Sequence, residues 1–338
     1  MNMANYNKKD AREWAREHLL GVANVTIPTM TSDFKRINEK AVRHDVELAI
    51  KHGFVGTLSC SEVAITQDQY FEFCQIMADQ AAGRMIVVHQ AVFNTLEENI
   101  EAVKRAEAAG ADLVLLGYPP YFYPKDYEEV FQYTKAVCDA TNLGVIIFPL
   151  PAWGFSRLHP ADIPNSVLRR MVDEIPNVVA IKAEGGLPYI MSAIEVHREF
   201  HEEVVISSPL EYEYVPLAQV MDIPFCGTNY SAYYGPLLPQ IHKLIRAGNY
   251  DEATQLWYKM DPARKAFASL PMAANGLLNR MMWKYQGWLQ GYNGGPLPHP
   301  TQRVYQRDMA MLRKGLEAAG LNPTRDADEA FFVGRNPV

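Results

Sequence analysis

One lysine stands out by its setting. Lys182 ends the apolar run NVVAIK, where an ammonium group would be half buried. Burial disfavours the charged form, so the pKa of such a lysine falls. A neutral amine can attack a ketone and form a Schiff base, and the protonated imine is then an electron sink for C–C or C–O cleavage. The alternative is a side chain that carries its charge out to water along an apolar stem. Glu184, two residues on in KAEGG, reads as a base, as a group that orients water, or as an ordinary loop carboxylate. Other short apolar runs end in residues of comparable interest. They are Ser59, Cys60, Ser61 and Glu62, then His89, Tyr118 and Tyr121, Phe148, Ser207 and Ser208, and Thr228, Asn229 and Tyr230. An unperturbed His89 titrates near neutrality and suits proton transfer; a histidine satisfied by hydrogen bonds in the core is the other reading. Trp153, Phe155, Trp283 and Trp288 suit either a hydrophobic substrate pocket or packing.

These residues need elements to hold them. Eight short, mostly aliphatic runs recur over the first 230 residues: Ala23–Ile27, Phe54–Leu58, Met85–His89, Asp112–Gly117, Leu143–Phe148, Val178–Lys182, Val204–Ser207 and Ile223–Gly227. Continuous apolar runs of this length predict strands buried on both faces of a parallel sheet. Lys40–His52, Glu97–Ala109 and Tyr127–Asp139 between them carry a helical period. Thr95 and Glu98 have the spacing of a capping box, and Gly110 stands where a helix-ending glycine belongs. Strand–helix repetition implies parallel strands with crossover helices, and eight units close a (β/α)8 TIM barrel. An open doubly wound sheet is the competing arrangement, but no GxGxxG turn follows the first run. In a barrel the site lies at the C-terminal ends of the strands, where the residues above fall.

After the eighth run the strands stop. Residues Tyr234–Ala247, Tyr250–Ala268, Asn275–Gln290 and Thr301–Ala319 read as helices. The expected layout is an N-terminal helical segment (1–20), the barrel (21–232), a C-terminal helical extension (233–321) and an irregular tail (322–338). A chain of 338 residues accommodates a barrel of about 250 residues and such an extension.

Composition narrows the function classes. The formal net charge of -7, with no basic run interleaved with aromatics, argues against a nucleic-acid partner. No run approaches ~18 apolar residues, so no membrane span is expected. The first twenty residues lack the apolar core of a secretory signal. Four scattered cysteines, none in a CxxC pair, read as reduced thiols of a cytoplasmic protein. HxH, HExxH and Walker A patterns are absent, so neither metal nor cofactor is expected. His197 and His201 share a helix face but sit in a charged stretch away from the strand ends.

Several motifs, in order, resemble the dihydrodipicolinate synthase/N-acetylneuraminate lyase family of Schiff-base class I aldolases. GVANVTIPTMTSDFKRIN resembles that family's first strand and the loop after it, GYPPYFYP its loop after strand four, and VVAIKAEGG its lysine strand. The resemblance spans about Gly21 to Leu321. It implies that Lys182 forms the imine, that the substrates are a 2-oxo acid and an aldehyde, and that the chain assembles as a homotetramer or dimer. It assigns the 2-oxo acid carboxylate to the loop after strand two, here Ser59, Cys60 and Ser61 before the matching Glu62; both glycines of the family's GxxGE pattern are missing. The family also places a proton-shuttling tyrosine at the end of strand five. Phe148 stands there, and a phenyl ring transfers no proton. Tyr121, which matches a family loop tyrosine, then Tyr118, Tyr230 and His89 are the candidates to replace it, Tyr121 and His89 foremost. Glu184, Trp153 and Asn229 complete the expected substrate contacts. The aromatic surroundings favour a hydrophobic or aromatic aldehyde, as in the pyruvate-releasing hydratase-aldolases of that family. A dehydratase of a hydroxylated 2-oxo acid, decarboxylating or not, and a barrel that only binds a ligand or protein are the other readings.

Overall fold

The eight apolar runs pair side by side and close on themselves. β1 (Gly21–Thr26), β2 (Gly56–Ser59), β3 (Ile86–Ala91), β4 (Leu113–Leu116), β5 (Gly144–Ile147), β6 (Val178–Lys182), β7 (Val205–Ser208) and β8 (Phe225–Gly227) are parallel neighbours in sequence order, and β8 pairs back onto β1. The structure is a computed structural model that describes residues 5–60, 62–184, 189–208, 211–227, 231–270 and 279–338. A helix α1 (Ala11–His18) precedes the barrel. The crossovers carry α2 (Glu39–His52), α3 (Gln67–Ala81), α4 (Leu96–Ala108), α5 (Tyr127–Asp139), α6 (Asn165–Glu174), α7 (Tyr189–Phe200) and α8 (Glu211–Ala218). This is a (β/α)8 TIM barrel, and the open sheet is excluded by the β1–β8 pairing.

Helix ends follow their local chemistry. The Thr95 hydroxyl accepts from the Glu98 amide at 3.0 Å, but the Glu98 carboxylate reaches the Asn94 amide instead of closing the box. A complete capping box forms at Thr66 and Gln69, at the start of α3. Gly110 ends α4 at a φ of 94°, a left-handed conformation that favours glycine.

The alternation of side chains along each strand divides the core in two. Leu58, Val88, Leu115, Ile146, Lys182, Ser207 and Phe225 point to the barrel axis, where they line one small internal cavity. Their sequence neighbours face the helices. The opposite end of the barrel is plugged by α1, whose Trp14, Ala15 and Leu19 pack with interior residues. Arg12 in α1 donates to the Val178 carbonyl at the start of β6, and the Tyr6 hydroxyl bridges Asp112 and Gly144 at the starts of β4 and β5.

The C-terminal extension contains α9 (Leu237–Arg246), α10 (Tyr250–Lys259), α11 (Asp261–Ala268), α12 (Arg280–Leu289), α13 (Gln306–Ala318) and α14 (Glu329–Val333). The single helix expected over Tyr250–Ala268 is two, and Pro262 falls in the first turn of the second, where its missing amide proton costs nothing. Residues 275–278 of the expected third helix lie outside the described residues. The tail is not wholly irregular: Phe331 of α14 is fully buried against Tyr285 and Trp288. The extension is tied to the loops after β1 and β2 and to α2. Lys284 donates to the Pro28 carbonyl at 2.6 Å, Arg280 pairs with Glu62, and the Asn293 amide donates to Asp45 at 2.6 Å.

Candidate active site

Lys182 is the last residue of β6 and points up the barrel axis. It is only 3% exposed. Its Nζ lies 3.4 Å from the Glu184 carboxylate and 4.1 Å from the centre of the Phe148 ring. Burial lowers the pKa of Lys182, while the charge of Glu184 opposes that fall. Glu184 is 4% exposed, and burial raises its pKa against the pull of Lys182. Burial therefore opposes the charged forms of both groups, while their mutual attraction favours them. The Glu184 amide also donates to the Lys182 carbonyl at 2.9 Å, a tight turn that brings the carboxylate back over the lysine.

Ser207 is the strand neighbour of Lys182 in register and lines the same cavity. Its hydroxyl accepts from the Gly227 amide and donates to the Ser208 carbonyl, both at 3.1 Å. Sequence named Ser207 among many polar strand ends; only the register singles it out.

Aromatic side chains roof the lysine on the β5 side. Trp153 stands edge-on to Phe148, ring centres 6.0 Å apart, and its indole N–H donates to the Phe148 carbonyl at 2.7 Å. Tyr118 packs against Trp153 and Phe155 behind them. Its hydroxyl is held by Thr134 at 2.7 Å.

Four expected site residues fall elsewhere. Ser59 and His89 are strand partners, but they occupy the outward-facing positions next to Leu58 and Val88, which face the axis. The Tyr70 hydroxyl of α3 bonds both the Ser59 hydroxyl and His89 Nδ1, each at 2.7 Å, and Phe71 stacks on the imidazole. Burial lowers the His89 pKa to about 3, so the ring is neutral near pH 7. His89 thus belongs to the barrel–helix core and is not the proton shuttle expected from its strand-end position. For the same reason Ser59 does not present its hydroxyl to the substrate. Cys60 is fully buried in that outer layer, its amide bonded to the Thr26 carbonyl. Tyr121 is 63% exposed on the loop after β4, and its described surroundings are Thr95, Leu96 and Tyr133 of the outer face. Ser61 and Asn229 lie outside the described residues.

Trp283 and Trp288 serve packing. Trp283 lies under the Arg280 guanidinium at 3.9 Å, and Trp288 is buried beside Tyr285 and Phe331. His197 stacks on His201, and its Nε2 bonds the Asp222 carbonyl. A carboxylate that strand-end reading missed is Glu213, in the first turn of α8. Burial and the charges of Glu184 and Glu211 raise its pKa to about 7. No periodic signal marks it, since its place depends on where the β7 loop delivers α8.

A closed parallel barrel thus carries a buried lysine at the C-terminal end of its sixth strand. Residues 19–307 match the Dihydrodipicolinate synthetase family, and the chain belongs to it. Members of that family are lyases, class I aldolases that use pyruvate through a Schiff base. The chain is 22% identical to the 4-hydroxy-tetrahydrodipicolinate synthase of Methanopyrus kandleri over 90% of its own length and 97% of that protein's. Dihydrodipicolinate synthase from Aquifex aeolicus superposes with a TM-score of 0.77 at 17% identity, covering 90% of this chain and all of that one (100%). N-acetylneuraminate lyase from Fusobacterium nucleatum gives 0.73 at 18% identity, covering 89% and 98%. At these identities the structural likeness establishes the fold. No helix of the described residues is long and apolar enough to cross a membrane.

Proposed function

We propose that this chain is a Schiff-base-forming lyase that acts on a pyruvate-type 2-oxo acid, with a hydrophobic or aromatic aldehyde as the other substrate or product. The observation that carries the reading is Lys182, buried on the barrel axis with its ammonium form penalised by burial. The amine attacks the C2 carbonyl, and a general acid expels water from the carbinolamine. The iminium then accepts the electrons of the bond broken at C3, which gives retro-aldol cleavage or, in reverse, aldol addition. Water addition and loss at the neighbouring carbons makes the reaction of a hydratase-aldolase, with pyruvate released.

The Ser207 hydroxyl, beside Lys182, is the described polar group best placed for the 2-oxo acid, its proton turning from the Ser208 carbonyl to the substrate. The Phe148 ring over Lys182 and Trp153 beside it support an apolar or aromatic aldehyde, because burying a ring on rings is favourable where a polyol would lose its hydration. No cofactor is needed, since the iminium is itself the electron sink. The exposed Tyr121 and Tyr123 on one loop suit a homo-oligomer contact, and the free cysteines suit the cytoplasm.

A reductive-trapping screen tests the reading. The protein is incubated with single 2-oxo acids and cyanoborohydride, then with aldehyde partners in turnover assays. The expected result is a pyruvate-type adduct and turnover with aromatic aldehydes in preference to sugars. No adduct with any 2-oxo acid would leave the ligand-binding barrel as the surviving reading.

A further inference from the structure

Phe148 occupies the place from which a tyrosine would move protons, yet imine formation requires several proton transfers at nitrogen and oxygen. Among the described residues, the acid–base group in contact with Lys182 Nζ is Glu184, at 3.4 Å, while the opposite contact is the proton-free Phe148 ring. The buried Glu184 Oε2 has, among the described residues, no hydrogen-bond partner beyond this ion pair. We propose that Glu184 is the catalytic acid–base of imine formation, exchanging one proton with Lys182 and delivering it to the departing hydroxyl. The proposal rests on the Schiff-base reading above and adds the group that makes it work without a strand-five tyrosine.

The steps balance on a single proton. In the resting pair, that proton moves from the lysine ammonium to the Glu184 carboxylate, leaving an amine and a carboxylic acid. The amine lone pair forms the N–C2 bond as the carbonyl π electrons move to oxygen. Glu184 protonates that oxygen and then takes one proton from the nitrogen, giving a neutral carbinolamine and regenerating the acid. Glu184 next protonates the C2 hydroxyl, the C–O bond breaks, and the nitrogen lone pair forms the iminium. Water leaves, and the Glu184 carboxylate remains beside the positive charge. The dry setting favours the first transfer, because desolvation raises the acid and lowers the base.

The titratable groups of neighbouring elements coupled to the pair are Tyr212 and Glu213 on α8, which feel Glu184, and Cys226 on β8, which feels Lys182; Glu211 acts on these in turn. The reactive state is the one that holds a single proton between Lys182 and Glu184. Imine formation should therefore be bell-shaped in pH: two protons leave no amine, and none leaves no acid.

The test is the rate of pyruvate adduct formation under cyanoborohydride, measured from pH 5 to 9 for the full chain, Glu184→Gln and Glu213→Gln. The proposal expects Glu184→Gln to slow adduct formation by about 10²–10⁴-fold, with the adduct still forming at Lys182. It also expects loss of the alkaline limb, so that the profile becomes a single rise to a plateau. Glu213→Gln should keep the bell. If Glu184→Gln does not fold, Glu184→Asp keeps the carboxylate and should retain the bell at reduced rate; a plateau there overturns the proposal. A wild-type rate and bell in Glu184→Gln overturns the role of Glu184 and leaves the Schiff-base reading intact. No adduct in the unmodified chain overturns that reading itself, and the proposal with it.

Discussion

Replacing Phe148 by leucine separates the two influences on Lys182. The ring centre is 4.1 Å from Nζ, and both side chains are almost wholly buried, at 5% and 3% exposure. A cation over an aromatic face gains about 2 kcal/mol when desolvated. The neutral amine gains no such term, so the ring favours the ammonium form and holds the pKa up against burial. At about 1.4 kcal/mol per pKa unit, removing the ring should lower the Lys182 pKa by roughly 1–1.5 units. The Trp153 indole bonds the backbone carbonyl at residue 148, so that anchor survives the substitution. Three buried carbons are lost, at a stability cost of about 2 kcal/mol. The assay is the pH dependence of adduct formation with pyruvate under cyanoborohydride. Its acid-side midpoint should fall by roughly 1 unit in Phe148→Leu, and adduct formation on the acid limb should quicken. A midpoint that stays put or rises refutes the assignment of the ring as a stabiliser of the ammonium.

Three further outcomes follow from the same geometry. Phe148→Tyr should leave turnover within about threefold of the original, because Glu184 already supplies the proton transfers that a tyrosine would provide; a large gain would show that the site lacks an acid–base group. Ser207→Ala should raise the KM for the 2-oxo acid by about fivefold, with kcat nearly unchanged, since one hydrogen bond contributes about 1 kcal/mol; a loss confined to kcat would place Ser207 in the chemistry instead. His89, held near a pKa of 3 when folded against about 6.5 unfolded, binds a proton only in the unfolded chain between those values. Stability should accordingly fall as pH drops from 6.5 toward 3, and His89→Gln should reduce the slope of unfolding free energy against pH by about 1.4 kcal/mol per unit, measured by urea denaturation at pH 4, 5 and 6. An unchanged slope would mean that the imidazole is not buried neutral.

The barrel was readable in the sequence because parallel strands covered on both faces leave continuous apolar runs. All eight runs overlap the strands that form, and Tyr127–Asp139 matches α5 at both ends. Lys182 was readable because a charged residue closing such a run has few places to go. What the runs did not reveal was parity. Leu58 and Val88 face the axis, while Ser59 and His89, one residue on, face α3. Strand ends look alike in one dimension, and a one-residue offset moves a side chain from the mouth into the helix layer. The value of Ser207 likewise rests on the β6–β7 register. Glu184 was legible as a base, a water-orienting group or a loop carboxylate, but its contact with Lys182 was not, because that approach depends on a turn between the two residues. The five residues of α14 are too few for a helical period and fold where Phe331 finds a pocket.

A second buried lysine sharpens the central test. Lys284 is 5% exposed, and burial lowers its pKa to about 7, so it too offers an amine near neutrality. It is turned away from the barrel axis, toward the Pro28 carbonyl at 2.6 Å. Peptide mapping of the protein reduced in the presence of pyruvate distinguishes the two. The account predicts one adduct per chain, on Lys182, absent in Lys182→Ala. An adduct on Lys284, or an undiminished adduct in Lys182→Ala, would contradict it.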